Sequence, residues 1–111
     1  MTSKQYSEIE KDLNSGERDT IIEAILYAAM NMDDPDWIVG RCACLILNSR
    51  DNDIQGLAIT CIGHVARIHR RIDRSLVATA LQFANQDICL AGRVEDALDD
   101  IELYTGERIR L

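Results

Sequence analysis

Apolar residues recur every three or four positions along almost the whole chain, a spacing that fits amphipathic helices and no strand arrangement. Six such segments follow one another. The first, residues 3–14, is thin: Tyr6, Ile9 and Leu13 form its stripe, and Gly16 stops it. The second, residues 17–30, sets Ile21, Ile22, Ile25, Leu26 and Ala29 on one broad face. The third opens with Asp34 as N-cap, Pro35 at the first helical position and Asp36 at the positive helix end; it runs on through Ile38, Cys42, Leu45 and Ile46. In the fourth, residues 53–69, Ile54, Leu57, Ala58, Cys61, Ile62, Val65 and Ile68 make a continuous stripe, with Gly56 and Gly63 two turns apart on a neighbouring face. Glycine inside a helix costs roughly 1 kcal/mol relative to alanine, so the pair predicts a second backbone packed close by. The fifth follows Asp73 as N-cap, with Ile72 and Val77 placed as a hydrophobic staple, and continues through Leu76, Ala80, Leu81 and Ala84. The sixth starts near Asp87, uses Ile88, Ala91, Val94, Leu98 and Ile101, and ends at Gly106. The expected fold class is all-α, as one domain over residues 1–111. A single proline, Pro35, and few glycines leave too few turn residues for a β-sandwich.

The four cysteines, Cys42, Cys44, Cys61 and Cys89, all fall in predicted helices among aliphatic neighbours and read as small buried thiols of a reduced cytoplasmic protein. No apolar run approaches the ~18 residues of a membrane span, and the first 20 residues are polar, so neither membrane insertion nor export is expected. The net charge of −7 disfavours direct nucleic-acid binding, which wants clustered lysine and arginine. It points weakly to a basic partner, although acidic surface also serves solubility alone. The excess is concentrated in residues 1–55, which carry 5 basic and 11 acidic side chains against 7 and 8 in residues 56–111.

Internal repetition suggests a stack rather than a closed bundle. Asp53-Ile54-Gln55-Gly56-Leu57-Ala58 matches Asp87-Ile88-Cys89-Leu90-Ala91-Gly92 at an offset of 34 residues, and a weaker copy opens at Asp36 with Ile38 and Ala43. A unit of about 35 residues holding two helices is a helical-repeat period. The run from Asp53, Gly56, Leu57 and Ala58 through Thr60, Cys61, Gly63 and His64 to Ala66-Arg67-Ile68-His69, followed by the later run from Gly92 to Ile101, resembles a group of short bacterial HEAT-like proteins. The likeness covers about residues 17–104. An ordinary HEAT repeat has arginine where this chain has Gln55. The resemblance implies antiparallel helix pairs stacked as a short right-handed solenoid. It also implies an immunity role, since proteins of this group belong to contact-dependent inhibition and polymorphic toxin loci, where they bind and neutralise a toxin domain. The implied partner is a basic toxin domain, a nuclease being the natural choice for an acidic inhibitor.

Chemical alternatives carry less. Cys42 and Cys44 point about 200° apart around a helix, and Cys61 with His64 has no obvious third ligand, so no metal site is expected. No nucleophile is placed by motif and no phosphate loop exists, so neither catalysis nor a cofactor is expected. His64 and Arg67, one turn apart, are expected to meet Asp96, Asp99 and Asp100 of the sixth helix in a network that locks neighbouring repeats. An enzymatic alternative, such as a lyase-like auxiliary, would instead need His64 and Asp96 in one pocket; a scaffold or adaptor without a toxin is the other alternative.

Alternating helix directions bring residues 31–36 and 69–74 to one end of the stack. The candidate partner surface there combines Asp33, Asp34, Asp36 and Trp37 with Arg70, Arg71 and Arg74. Trp37, four residues before Arg41, can stack on its guanidinium. It reads either as a hot spot ringed by acid or as a core anchor.

Overall fold

Carboxylates start three of the helices. Asp34 accepts a hydrogen bond from the Trp37 amide at 3.2 Å and begins α3 (Pro35–Asn48). Asp51 accepts from the amides of Asp53 and Ile54, at 2.8 and 3.3 Å, and begins α4 (Asn52–His69). Asp73 accepts from the Leu76 amide at 3.1 Å and begins α5 (Arg74–Ala84), with Ile72 and Val77 both buried beside it. These side chains satisfy amides that have no partner within the helix. The computed structural model describes residues 4–111; before α3 it contains α1 (Tyr6–Leu13) and α2 (Arg18–Asn31), and after α5 it contains α6 (Ala91–Thr105). The expected all-α class holds, and no strand occurs among the described residues. Ser3, expected in the first helix, lies outside them.

The sixth helix starts later than its sequence suggests. Asp87 keeps its carboxylate for a turn, accepting from the Cys89 amide at 2.8 Å and from Asn52 Nδ2 at 3.1 Å, and regular helix begins only at Ala91. Asp51 bonds the amides two and three residues on and starts a helix, whereas Asp87 bonds only the amide two residues on and closes a turn. Ile88, expected on the core face, is consequently 92% exposed.

α4 is the central element, packing on α2, α3 and α6; α3 also packs on α5, and α1 on α2. The molecule measures 38 × 28 × 18 Å, and its least dimension is that of two helix layers. Several side-chain bonds between elements span a similar separation: Arg18 pairs with Asp51 and Asp53, Asp36 with Arg71, and Asn52 with Asp87, each 33 to 35 residues apart. That separation is the offset seen in the sequence. The backbone approach predicted at Gly56 and Gly63 is made by α6 at Gly63, whereas at Gly56 only a side chain of α6 comes close. A Cβ on Gly56 would lie 2.8 Å from the Arg93 side chain, and one on Gly63 would lie 2.9 Å from Asp100 and 3.6 Å from Ala97 Cα.

The core is mostly isoleucine: Ile9, Ile25, Ile38, Ile46, Ile59, Ile62 and Ile101 are all fully buried. Gln55 is the one buried polar side chain among the described residues; it donates to the Ile46 carbonyl at 3.0 Å and accepts from Asn52. Leu26 and Ile68, read as core positions, are 40% and 51% exposed. The apolar arcs of α2 and α4 are wider than their neighbours can cover, so the residues at one edge stay in solvent. Cys42 and Cys61 are buried as expected, but Cys44 and Cys89 are exposed. Cys44 lies about 200° around α3 from Cys42, and Cys89 sits in the turn before α6.

Candidate functional site

The start of α3 meets the end of α4, as the alternation of directions requires. Arg71 pairs with Asp36 at 3.0 Å, and His69 Nδ1 lies 3.6 Å from Asp33. Asp34 uses its second oxygen to accept from the Tyr6 hydroxyl at 2.8 Å; this bond, more than partial desolvation and the charge of Asp34 itself, raises the Tyr6 pKa. The Tyr6 ring stacks on Trp37 with centroids 4.7 Å apart, and the Arg41 guanidinium lies 5.9 Å from the centre of the Trp37 ring. Trp37 is half-buried: it packs against the core on one side and carries Tyr6 on the other. The remaining two arginines turn toward the end of α6. Arg70 lies over Tyr104 at 5.7 Å, while Arg74 donates to Thr105 Oγ1 at 3.2 Å and to the Glu107 carbonyl at 2.6 Å. The seven candidate residues therefore share one end, where Asp36 and Arg71 form an ion pair and Asp34, Arg70 and Arg74 meet neutral or aromatic groups.

The network expected at His64 takes a different form. Arg67 Nη2 donates to His64 Nδ1 at 2.6 Å. Arginine is always a donor, so Nδ1 is unprotonated and the ring proton sits on Nε2, which is shielded and has no hydrogen-bond partner. Burial first, then the charges of Arg67 and His69, hold the His64 pKa below its ordinary value of 6.5. Of the carboxylates expected to meet this pair, Asp96 and Asp99 go elsewhere, and Asp100 shares a hollow with it without a hydrogen bond. Arg108 collects Asp99 at 2.9 Å, Glu102 at 3.2 Å and Glu95 at 2.6 Å, and these bonds raise its own pKa. Asp96 is exposed and in no ion pair among the described residues, and Asp100 lies against Gly63. Arg67 is occupied one turn away on its own helix, so it does not bridge. The bond between α4 and α6 comes instead from Arg93, which donates to the Gly56 carbonyl at 3.3 Å and to Thr60 Oγ1 at 2.9 Å. Arg93 lies opposite a glycine, and that was its only sequence signal. Arg108 lies in a segment with no periodic pattern at all.

Two of the surface hollows have apolar walls from exposed side chains. One, of about 320 Å³, runs between α2 and α6 over α4, with walls from Leu26, Ala29, Met30, Leu57 and Cys61 and polar groups from His64, Arg67 and Asp100. The other, of about 690 Å³, lies at the opposite end from Trp37, between Arg50, Asn52, Phe83 and Ile88. Asp96 lines neither, so the enzymatic alternative's pairing of His64 with Asp96 in one pocket is not formed. The neighbouring Cys61 thiol first, and burial second, hold the Cys42 thiol well above its usual range. Among the described residues no group of three or more histidine, cysteine or carboxylate side chains is arranged to hold a metal ion, and no helix is long and apolar enough to cross a membrane.

No protein-family profile and no curated protein matches the chain. Among solved structures, a chain in the crystal structure of a CDI complex from Cupriavidus taiwanensis LMG 19424 is similar to it, with a TM-score of 0.79 and 29% sequence identity. The match covers 94% of this chain and 97% of that one.

Proposed function

We propose that the chain is an immunity-type protein that binds a bacterial toxin domain and neutralises it by covering its active or substrate-binding surface. The supporting observation is the near full-length likeness, in sequence as well as fold, to a chain of a CDI complex, CDI being contact-dependent inhibition. Such a complex joins a toxin with its inhibitor, and the acidic surface of this chain fits the inhibitor half. A nuclease is the partner that suits it best, because a cleft built for phosphates is basic and would draw an acidic inhibitor. The end carrying Asp33, Asp34, Asp36, Trp37, Arg70, Arg71 and Arg74 is read as a steering rim. Three aspartates and three arginines mix there, and rim charges act on association rate more than on the lifetime of a complex.

The test is expression in bacteria. Produced alone, the chain should leave growth unchanged; produced with the toxin domain encoded beside its gene, it should restore growth. Toxicity of the chain alone would make it the toxin half, and failure to rescue would remove the immunity reading.

A further inference from the structure

We propose that the outer face of α2, α4 and α6 is the docking surface, and that it receives a basic segment of the partner whose lysine or arginine side chains enter the groove beside Asp100. The proposal rests on the reading of the chain as a toxin inhibitor and adds to it the surface and the chemistry of the contact.

Exposed apolar area comes first. Leu26, Met30, Ile68 and Leu103 all stand 40% or more in solvent, and helical spacing puts them on this one face. Met30 and Leu103 are the extremes, at 62% and 70%. Contiguous exposed apolar area rimmed by charge is the usual mark of a contact surface. The exposed Tyr6, by contrast, already has Trp37 against one side of its ring.

Charge points the same way. Asp36, Asp51, Asp53, Asp99 and the glutamates around Arg108 are held in ion pairs within the chain, and Asp33 gains one only when His69 is protonated. On the outer face, Asp19 and Glu23 share the exposed stripe of Leu26 and Met30, and Asp96 and Asp100 occupy the facing side of α6. None of these four is in an ion pair among the described residues. The two arginines on the face, Arg67 and Arg93, are bonded to neutral acceptors on α4. Bonds to neutral groups leave both arginines charged, so four carboxylates against two cations give the face a net charge of about −2 beside its apolar surface.

The groove joins the two. Its wall of Leu26, Ala29, Met30 and Leu57 is apolar; Asp100 places a carboxylate at its side, and Arg67, also in the lining, is turned to His64. A lysine or arginine can lay its aliphatic stem along such a wall and set its cation on the acid. The hollow at Phe83 and Ile88 also exposes apolar side chains, but its charged lining includes Arg50, and its one carboxylate, Asp87, is already bonded to Asn52 and the Cys89 amide. It is the poorer match for a basic partner.

Two measurements test this. First, the ¹⁵N-labelled protein is titrated with acetylated hexalysine amide, which does not depend on knowing the toxin. Shifts concentrated on the exposed stripes of α2, α4 and α6 support the proposal; shifts confined to the start of α3, or spread evenly, overturn it. Second, binding kinetics are measured with the toxin domain encoded beside the gene, for wild type and for variants checked by circular dichroism. Met30→Ser with Leu103→Ser, and separately Asp96→Lys with Asp100→Lys, should weaken binding by about 100-fold or more, mainly through faster dissociation. Asp33→Lys with Asp36→Lys should slow association and leave dissociation within about threefold of wild type. Both outer-face pairs staying within that range, or loss of binding on Ile88→Ser instead, would overturn the surface. Failure of the wild type to bind this toxin would count against the immunity reading, and the hexalysine result would still decide the surface.

Discussion

Gly63 marks the tightest approach of α6 to α4. Alanine there would push only on the Asp100 carboxylate, which can swing away, but a longer side chain runs into the Ala97 backbone at 3.6 Å from the Cβ position. Gly63→Leu should therefore destabilise the fold by about 1–3 kcal/mol in denaturant unfolding; an unchanged midpoint would contradict the close packing. His64 gives a prediction of different sign. Its folded-state pKa lies below its ordinary value of 6.5, with burial the largest cause. A depressed pKa contributes stability that is present above the unfolded value and lost as pH falls through the folded one. The melting temperature should fall between pH 7 and pH 5.5, and His64→Gln should flatten that slope; parallel slopes would show that His64 is not the group responsible. At this scale the sequence was readable where a residue acts on its nearest backbone. Asp34 and Asp73 cap helices as their positions suggest. His64, Arg67 and Asp99 could not be assigned in the same way, because each has several partners within reach and the folded geometry chooses among them. Arg67 took the nearest acceptor, His64 itself.

The six helices were legible as elements because amphipathic spacing and capping are local signals. Their ends and exposed edges were harder to read. Asp87 looked like the start of α6 because it aligns with Asp53, yet its carboxylate is engaged by Cys89 and Asn52, and the second of these bonds exists only once α4 lies alongside. Leu26 and Ile68 were placed in the core because periodicity shows that a face is apolar without showing how much of it a neighbour covers. Arg108 is an element-scale device that periodicity could not reveal. It reaches Glu95, Asp99 and Glu102, three carboxylates spaced along one face of α6, and it stands beside the buried Ile109. Arg108→Ala leaves those like charges facing one another and should lower the melting temperature. The deficit should shrink in about 1 M salt, where screening acts within roughly 3 Å. A deficit that salt leaves unchanged would mean that packing of the arginine stem, rather than charge, holds the segment.

For the whole molecule, the distribution of charge matters more than its total. The excess of acid lies in residues 1–55, as the sequence shows, but folding pairs much of it: Asp51 and Asp53 with Arg18, Asp36 with Arg71, Glu10 with Arg41. Among the described acids outside any ion pair, Asp19 and Glu23 of α2 and Asp96 and Asp100 of α6 come from helices far apart in sequence that become neighbours of α4 only in the fold. The candidate end at Trp37 was therefore legible, since it follows from alternating helix directions, while the outer face was not. Association with a basic toxin domain should slow steeply as salt rises, and a rate indifferent to salt would remove electrostatic steering. The most direct measurement of the central claim is titration of the purified toxin domain's own activity with this protein. A binder that covers the toxin's working surface predicts a linear fall reaching zero at one equivalent. Inactivation by a small fraction of an equivalent would reveal catalysis, and full toxin activity at excess protein would show that this is not its inhibitor.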